Sequence, residues 1–417
     1  MYFARTAQKL REQMVQFSGE LPAGLPKVSR RFVTEMVFGI QARGSVRLTE
    51  VGRALGERIL LKKTEERLSC QLGRHGLERR IQRRLIEQAS GRIEDDTLLV
   101  LDLSDVTKKY AEKMEHMGRV RDGSEKELGW GYWTLNIVGA NTNGTKLVPL
   151  YGRLFSHTVT GHESENEEIR DAIKEVAEVM GRRGIWVMDR GGDRRHLYYY
   201  LLPNKHRFMI RVRADRGLQT AQGITSALDL AHSCPMLFQE TIVREEAGQE
   251  RLVHLSCGLR KVRLPNRREE LTLVVVKSFG EEPLMILTNL PVRRSRKSVW
   301  HVVQSYITRW RIEDVIRFVK QSYHLIRCLT YHRLQALMAL VTAAAFFAAV
   351  YLGLRMKLRV LAGHVLRASK RVFGIPDFRL YALADGIRQY LYSQTQGLKL
   401  FFELRNQVPI QPKLFDP

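Results

Sequence analysis

The part of the chain that most restricts the possible folds lies between residues 97 and 215, where short apolar runs alternate with amphipathic stretches. Five runs are typical of β-strands: TLLVLDLSDV, WGYWTLNIVGAN, TKLVPLYGRLFS, GIWVMDRGGD and HRFMIRVRAD. Glu163 to Met180 has the spacing of an amphipathic helix, and a second helix is predicted after Asp193. Three strands, a helix, a strand, a helix and a strand predict an α/β domain with a mixed sheet.

Length and charge narrow the class of protein. A chain of 417 residues is too long for one ordinary hydrophobic core, so two or three domains are expected. Its 68 Lys and Arg residues against 44 Asp and Glu give a formal charge of +24. Such an excess indicates a polyanionic partner, with nucleic acid first and an anionic membrane surface second. The four cysteines form no CxxC pair, so a reduced cytoplasmic protein without a zinc site is expected.

One segment resembles a membrane span. Leu334 to Leu354 contains no charged residue and is long enough to cross a bilayer. It is rich in alanine and contains Gln335 and Thr342, so a helix buried inside a large domain is the preferred prediction. A basic membrane-associated protein is the alternative.

Residues 1 to about 90 are predicted to be helical. Within them, Arg31 to Cys70 predicts three short helices with a basic third member, which suits a helix-turn-helix DNA reader. Ser45 or Thr49 is the candidate cap of the second helix, and Gln71 to Gln88 predicts a further basic helix that serves as a linker. Many small helical bundles without DNA contacts have the same pattern.

A β-rich region follows the α/β part. Four alternating runs predict a largely β subdomain with basic edges: MLFQETIVRE, RLVHLSCGL, ELTLVVVKSF and PLMILTNLP. After it, YITRWRIEDVIRFVK predicts a helix on which Arg309, Glu313, Arg317 and Lys320 share one face. Taken alone, that face is most simply a solvated surface with ion pairs between residues four apart.

Carboxylates at predicted strand ends are the candidate chemical groups. Asp102 and Asp189 each end an apolar run, and Glu313 can supply a third carboxylate from the later helix. The nearby rivals are Asp105, Asp193 and Asp314. Asp102 is preferred because it closes the apolar run, although an aspartate at a strand end is also a common turn residue. Three carboxylates without His or Cys favour Mg²⁺ or Mn²⁺, and two such ions about 4 Å apart suit phosphodiester chemistry.

These motifs resemble those of DDE transposases from prokaryotic insertion sequences. Tyr306, Arg309, Glu313 and Lys320 match the Y-(2)-R-(3)-E-(6)-K signature of insertion-sequence family four at all four positions and spacings. VMDRGGD resembles the second-aspartate motif of that family, and LVLDLSDVTKKY resembles the first. The matches occur in the family's order, with the β-rich region before the helix. The resemblance covers residues 97 to 350.

The resemblance implies an RNase H-like α/β catalytic core with an inserted, mainly β subdomain. The helical pattern before it predicts an α-helical N-terminal DNA-binding domain. The expected parts are a helical DNA-binding region at 1–90, the first part of the core at 97–213, the β-rich insertion at 214–298, the second part of the core at 299–356 and a C-terminal helical region at 357–417. The resemblance also implies two divalent cations, Mg²⁺ or Mn²⁺, held by Asp102, Asp189 and Glu313. Tyr306, Arg309 and Lys320 are then the residues that contact DNA.

The expected activity is cut-and-paste transposition. The enzyme would cleave double-stranded DNA at terminal inverted repeats, free a 3′-hydroxyl and join it to target DNA. A homodimer in a synaptic complex, a cytoplasmic, nucleoid-associated location and no membrane partner are expected. The alternatives are a catalytically silent, domesticated DNA-binding derivative and a structure-selective nuclease of the same fold. Trp310 is expected to pack against the protein, and Trp300 is a candidate for stacking on a base.

Overall fold

A computed structural model describes residues 2–107, 111, 113–121, 127–144, 146–246, 249–322, 330–351, 386–388 and 390–391. For residues 2–7, 244–246, 249–251, 311–322 and 351 it describes the backbone only. Most of the predicted C-terminal region, 357–417, lies outside the described residues.

The described helices and strands follow one another in a clear order. The helices are α1 (Tyr2–Glu20), α2 (Lys27–Arg43), α3 (Leu48–Leu55), α4 (Leu61–Leu72), α5 (Leu77–Ala89), α6 (Glu165–Met180), α7 (Arg195–Leu201), α8 (Ala227–His232), α9 (Arg296–Ser322) and α10 (Tyr331–Phe346). The strands are β1 (Leu98–Thr107), β2 (Gly118–Arg121), β3 (Leu128–Ala140), β4 (Leu147–Phe155), β5 (Ile185–Met188), β6 (Arg207–Arg211), β7 (Gly217–Thr220), β8 (Gly223–Ser226), β9 (Phe238–Glu246), β10 (Gln249–Val262), β11 (Leu271–Lys277) and β12 (Leu284–Thr288). Short 3₁₀ turns lie at Ser90–Arg92 and Arg190–Gly192, and a π-helical turn lies at Phe347–Tyr351.

The five strands predicted from the apolar runs are confirmed, and together they form one half of a mixed sheet. Their order is β4-β3-β1-β5-β6. Strand β3 is antiparallel to β1 and β4, whereas β1, β5 and β6 are parallel to one another. The short strand β2, which the sequence pattern did not predict, pairs with the beginning of β3. Parallel neighbours need crossovers, and α6 and α7 supply them.

The β-rich region extends this same sheet. Strand β12 pairs antiparallel with β6, and β11, β10 and β9 follow in order, so the sheet has ten strands. Among the described strands only β7 and β8 form a separate pair. Residues of β12 that face β6, including Ile286 and Leu287, are fully buried. This region therefore lengthens the sheet, and its described buried residues belong to the same two hydrophobic clusters as the rest of the sheet.

The sheet separates two hydrophobic clusters. Leu98 and Val100 lie in the cluster that contains Val302 and Tyr306 of α9. Leu99, between them in the sequence, lies in the larger cluster with residues of α6 and α10. Alternate residues of a strand face opposite sides of its sheet, so even-numbered positions at the start of β1 face α9. We call this side of the sheet the α9 face.

Helix α10 is a core helix of the fold. Among the described residues one helix, Tyr331–Val350, is long and apolar enough to cross a bilayer, yet 83% of its most apolar stretch is buried inside the protein. Phe346 stacks on Phe17 of α1 with 5.8 Å between ring centroids, and the Gln41 amide donates to the Ala344 carbonyl at 2.6 Å. The predicted burial is confirmed, and α1 and α2 share one core with the sheet.

Two predictions for the N-terminal helices were wrong. Helix α5 does not act as a linker, because the Gln82 amide donates to the Leu150 carbonyl at 2.6 Å and its oxygen accepts the Gly152 N–H at 3.2 Å. It thereby covers the free edge of β4, which pairs with no described strand other than β3. Helix α3 is not capped by a side chain, since Arg47 occupies its N-cap and the Ser45 hydroxyl accepts the Arg47 N–H at 3.3 Å.

Candidate active site

The pairing register places two aspartates and an arginine in one row across three parallel strands. On the α9 face, neighbouring residues of β1, β5 and β6 form rows across the sheet. The first row is Leu98, Ile185 and Arg207, and the next is Val100, Val187 and Met209. Two residues further along each strand stand Asp102, Asp189 and Arg211. Because side chains repeat every second residue, these three continue the α9 face at the carboxyl ends of β5 and β6. The predicted aspartates are therefore brought to neighbouring positions.

Asp102 does not close its strand, which corrects the prediction. Strand β1 continues to Thr107, paired with β3 throughout, and Asp102 lies opposite Asn136. What ends beside Asp102 is the parallel neighbour β5, at Met188. The carboxylate is therefore half-buried at the step where the sheet narrows.

The rival Asp105 occupies a different position. Three residues beyond Asp102, it falls in the other row of β1 by strand alternation. Its carboxylate accepts the Thr107 hydroxyl at 2.9 Å. Strand alternation thus favours Asp102 as the partner of Asp189.

The two aspartates of the VMDRGGD segment have different environments. The Asp189 carboxylate, half-buried, accepts the Gly191 N–H at 2.8 Å and caps the 3₁₀ turn after β5. The Asp193 side chain is fully buried and accepts from Arg216 Nε at 2.8 Å and from the Tyr198 hydroxyl at 3.0 Å. Its other oxygen accepts the Arg213 N–H at 2.9 Å. Asp193 is therefore occupied in fixing the loop, which leaves Asp189 as the better candidate ligand.

Helix α9 places an aromatic and cationic group over the row. Tyr306 is fully buried in the α9-face cluster, and Arg309 is 5% exposed one turn later. The Arg309 guanidinium lies 5.7 Å from the centroid of the Tyr306 ring and 5.5 Å from that of Trp310. Trp310 stacks on Phe279 with 4.9 Å between centroids, so the prediction that it packs against the protein is confirmed.

The Tyr306 hydroxyl lies in the field of both cations and an aspartate. Burial raises the pKa of Tyr306, the guanidinium groups of Arg309 and Arg211 oppose that increase, and Asp189 adds to it. The guanidinium groups of Arg309 and Arg211 lie close enough to interact with this buried hydroxyl. A neutral phenol therefore lies beside two guanidinium groups, and together they are a suitable set of donors for a phosphate oxygen.

Two predicted site residues have side chains outside the described ones. Helix α9 includes Glu313 and Lys320, but only its backbone is described beyond Trp310. Position 313 lies seven residues after Tyr306, about two helical turns, so it belongs to the same helical stripe. Among the described side chains no group of three residues that could bind a metal is found. The side chain of Glu313 lies outside the described ones.

Arg211 is a candidate site residue that the sequence pattern did not reveal. Its run, HRFMIRVRAD, reads locally as a strand with alternating arginines, and nothing in it distinguishes Arg211 from Arg207 or Arg213. Burial lowers the pKa of Arg211, the Tyr306 hydroxyl opposes this, and Arg190 adds to the decrease. Arg211 lies two residues after Met209, whose side chain is on the α9 face. That spacing is the one signal that could have placed Arg211 on the same face.

Trp300, the candidate stacking residue, is half-buried and packs against the α9-face cluster. Its surroundings are therefore those of a packing residue on the buried side of α9.

Comparison with known proteins identifies the family. A family model described as the transposase DDE domain matches residues 129–347, more than half of the chain. The chain belongs to this family and is an enzyme, a DDE transposase that acts in DNA transposition. The search of curated proteins found no match. Among solved structures, a piggyBac transposase synaptic complex with hairpin DNA is similar at 11% sequence identity, over 99% of this chain and 83% of that one, with a TM-score of 0.45.

Proposed function

We propose that this enzyme is a cut-and-paste transposase of the insertion-sequence family-four type. It recognises the terminal inverted repeats of a prokaryotic element, cleaves the DNA at their ends and joins the freed 3′-hydroxyl to target DNA. The observation that carries the proposal is the row formed by Asp102 and Asp189 on adjacent parallel strands, beneath the helix that contains Glu313. The membership of the chain in the transposase DDE domain family supports it.

The donor groups of this site fit a hard divalent cation. The carboxylates of Asp102 and Asp189 offer only oxygen ligands, which Mg²⁺ and Mn²⁺ prefer. We assign Glu313 as the third ligand and expect two such ions. When bound, they polarise the scissile phosphate and activate the attacking oxygen.

The residues around the carboxylates hold the substrate. The buried phenol of Tyr306 and the guanidinium of Arg309 can each donate to a non-bridging phosphate oxygen. Burial restricts both side chains, so little conformational freedom is lost when DNA binds. We assign Lys320 as a further phosphate contact, and Arg211 as a cation that balances Asp189 and also contacts a phosphate.

The remaining organisation belongs to the same proposal. The sheet order β4-β3-β1-β5-β6 supports an RNase H-like core, extended by the β-rich insertion. The helical region 1–90 provides DNA contacts, and a homodimer synapses two ends. We place the enzyme in the cytoplasm, associated with the nucleoid.

A cleavage assay tests the proposal. Terminal-repeat DNA is incubated with Mg²⁺ and the purified protein, and cleavage and strand transfer are followed on gels. Asp102→Asn, Asp189→Asn and Glu313→Gln should each abolish cleavage while end binding persists, because each removes one anionic ligand and little volume. The exposed Asp171 on α6 offers a matched control, Asp171→Asn, which should cleave normally.

Two outcomes would support other functions. Binding without cleavage by the wild-type protein would indicate a catalytically silent derivative. Cleavage without joining, and without preference for the repeats, would indicate a structure-selective nuclease.

A further inference from the structure

The loop between α3 and α4 exposes two adjacent large apolar side chains. Ile59 is 51% exposed and Leu60 is 76% exposed, the highest value among the large apolar residues that the structure describes. Single exposed apolar residues are common on protein surfaces. Two neighbours at the tip of one loop are a candidate contact surface, because their burial against a partner is favourable. We call Ile59 and Leu60 the apolar tip.

An ionic network around two buried carboxylates, Glu35 and Glu57, holds this loop in place. The Glu57 side chain is 7% exposed and accepts from Arg31 at 2.6 Å, from Thr64 at 2.8 Å and from Arg67 at 2.9 Å. Arg31 and Arg67 also contact Glu35 of α2. Burial disfavours ionised Glu57, but Thr64, Arg67 and Arg31 outweigh it, so its pKa is lowered and the network stays charged at neutral pH. The exposed tip is therefore presented by a fixed backbone.

The surroundings of the apolar tip are cationic. Arg58 and Lys62 are exposed on either side of it, and Lys63 is paired with Glu66 at 3.1 Å. The first turn of α4 contains no acidic residue, and Leu60 at its N-cap cannot cap the free N–H groups. The positive end of the helix thus adds to the side-chain charges. Of the acids near the tip, Glu57 lies in the ionic network, Glu66 is the partner of Lys63, and Glu50 of α3 is bonded to Arg53.

The combination of apolar tip and cations favours DNA over a protein partner. Two side chains are far too small for a stable protein interface, which needs about 800 Å² per partner. Minor-groove proteins, in contrast, commonly insert one or two apolar side chains at a base step while flanking cations contact phosphates. A rigid loop is suited to this because the wedge must push the bases apart without bending back.

We propose that Ile59 and Leu60 form an apolar wedge that enters the minor groove of the terminal-repeat DNA and bends it, with Arg58 and Lys62 on the adjacent phosphates. This inference rests on the proposed function, since it names how the helical region engages the same DNA. The charge network around Glu57 supplies the rigidity, and the two exposed side chains supply the contact.

The test measures binding and bending separately. The probe is a duplex of the inverted repeat, read from the DNA that flanks the gene, with fluorophores at both ends for energy transfer. In full-length protein, the double variant Ile59→Ser, Leu60→Ser should lower affinity about tenfold and reduce the bend, while the salt dependence of binding stays the same. The double variant Arg58→Ala, Lys62→Ala should keep the bend and flatten the slope of log K against log salt by about 1.8.

A matched control and three outcomes decide the matter. Ile224→Ser removes a side chain that is 63% exposed on β8, far along the chain, and should bind and bend as the wild type does. Unchanged affinity and bend in the Ile59→Ser, Leu60→Ser variant would overturn the wedge. A change of oligomeric mass with unchanged DNA affinity would also overturn it, in favour of a protein contact. Failure of the wild-type protein to bind the repeat at all would instead refute the proposed function.

Discussion

The two aspartates of the VMDRGGD segment should respond in opposite ways to the same substitution. Asp189→Asn should abolish cleavage and leave stability almost unchanged, whereas Asp193→Asn should destabilise the protein. The prediction follows from burial, because the Asp189 carboxylate is half-buried with a local backbone donor, and the Asp193 side chain is fully buried among two arginines and a tyrosine.

The magnitude follows from the contacts that each carboxylate makes. An asparagine at 189 keeps an oxygen that can accept the Gly191 N–H, so the stability change should stay within about 0.5 kcal/mol. At 193 the amide keeps the shape but loses the charge that faces Arg216, whose side chain is 17% exposed. Hydrogen bonds to charged groups contribute about 1.5–3 kcal/mol, so Asp193→Asn should cost roughly 2–3 kcal/mol. Asp193→Ala breaks the buried pair completely and should cost about 3–5 kcal/mol.

Urea unfolding followed by fluorescence measures stability, and the Mg²⁺-dependent cleavage assay measures chemistry at a temperature where every variant remains folded. Asp193→Asn should retain some cleavage under those conditions, because the wild-type Asp193 carboxylate holds the loop and is not the assigned metal ligand. A stable Asp193→Asn protein without cleavage, together with an active Asp189→Asn protein, would reverse the two roles and refute the reasoning from burial.

Three further predictions concern other parts of the fold. Burial lowers the pKa of His206 and Arg182 adds to the effect, so the unfolded chain binds a proton at this histidine more readily than the folded protein does. Stability should therefore fall as the pH drops below the ordinary histidine pKa of about 6.5. His206→Phe should flatten this pH dependence, measured by urea unfolding at several pH values. Arg211→Gln should flatten the salt slope of end binding by about 0.9 and reduce cleavage, measured by anisotropy and by the gel assay. Gln82→Leu should leave two buried backbone groups of β4 unpaired and cost about 2–5 kcal/mol in urea unfolding, whereas Gln16→Leu on an exposed face of α1 should cost little.

Each of these has a contrary result. The His206 account fails if the variant keeps the wild-type loss of stability at acidic pH. An Arg211→Gln protein with unchanged salt slope and cleavage would place this guanidinium outside the substrate path. Equal stability of the Gln82→Leu and Gln16→Leu proteins would show that water or another group satisfies the edge of β4.

Local pattern was sufficient for the elements that carry the candidate site. The apolar runs of β1 and β5 and the stripe of α9 are visible in single segments, so Asp102, Asp189 and the Tyr306 helix could be located from the sequence. The register between strands could not, because it depends on which residues of distant segments pair. That register is what places Arg211 beside Asp189, and it also shows that β1 continues beyond Asp102.

The contacts that connect the regions could likewise not be predicted from the sequence. The β-rich run looked like a separate subdomain, because the pairing of β12 with β6 links segments about 75 residues apart and leaves no local signal. The same holds for Gln82, whose amide substitutes for a neighbouring strand at the edge of β4. A polar residue on an otherwise basic helix reads as solvated until its distant acceptor is known.

The position of α10 has a consequence for biosynthesis. This helix covers apolar surfaces of α2 and β4, which leave the ribosome long before it does. About 200 residues separate the end of β4 from the end of α10, and at roughly 5–20 residues per second their synthesis takes on the order of 10–40 s. During that interval the apolar surfaces of α2 and β4 are not covered by α10. A chain interrupted before residue 331 should therefore aggregate, and chaperones that bind nascent apolar surface should associate with this enzyme until α10 emerges.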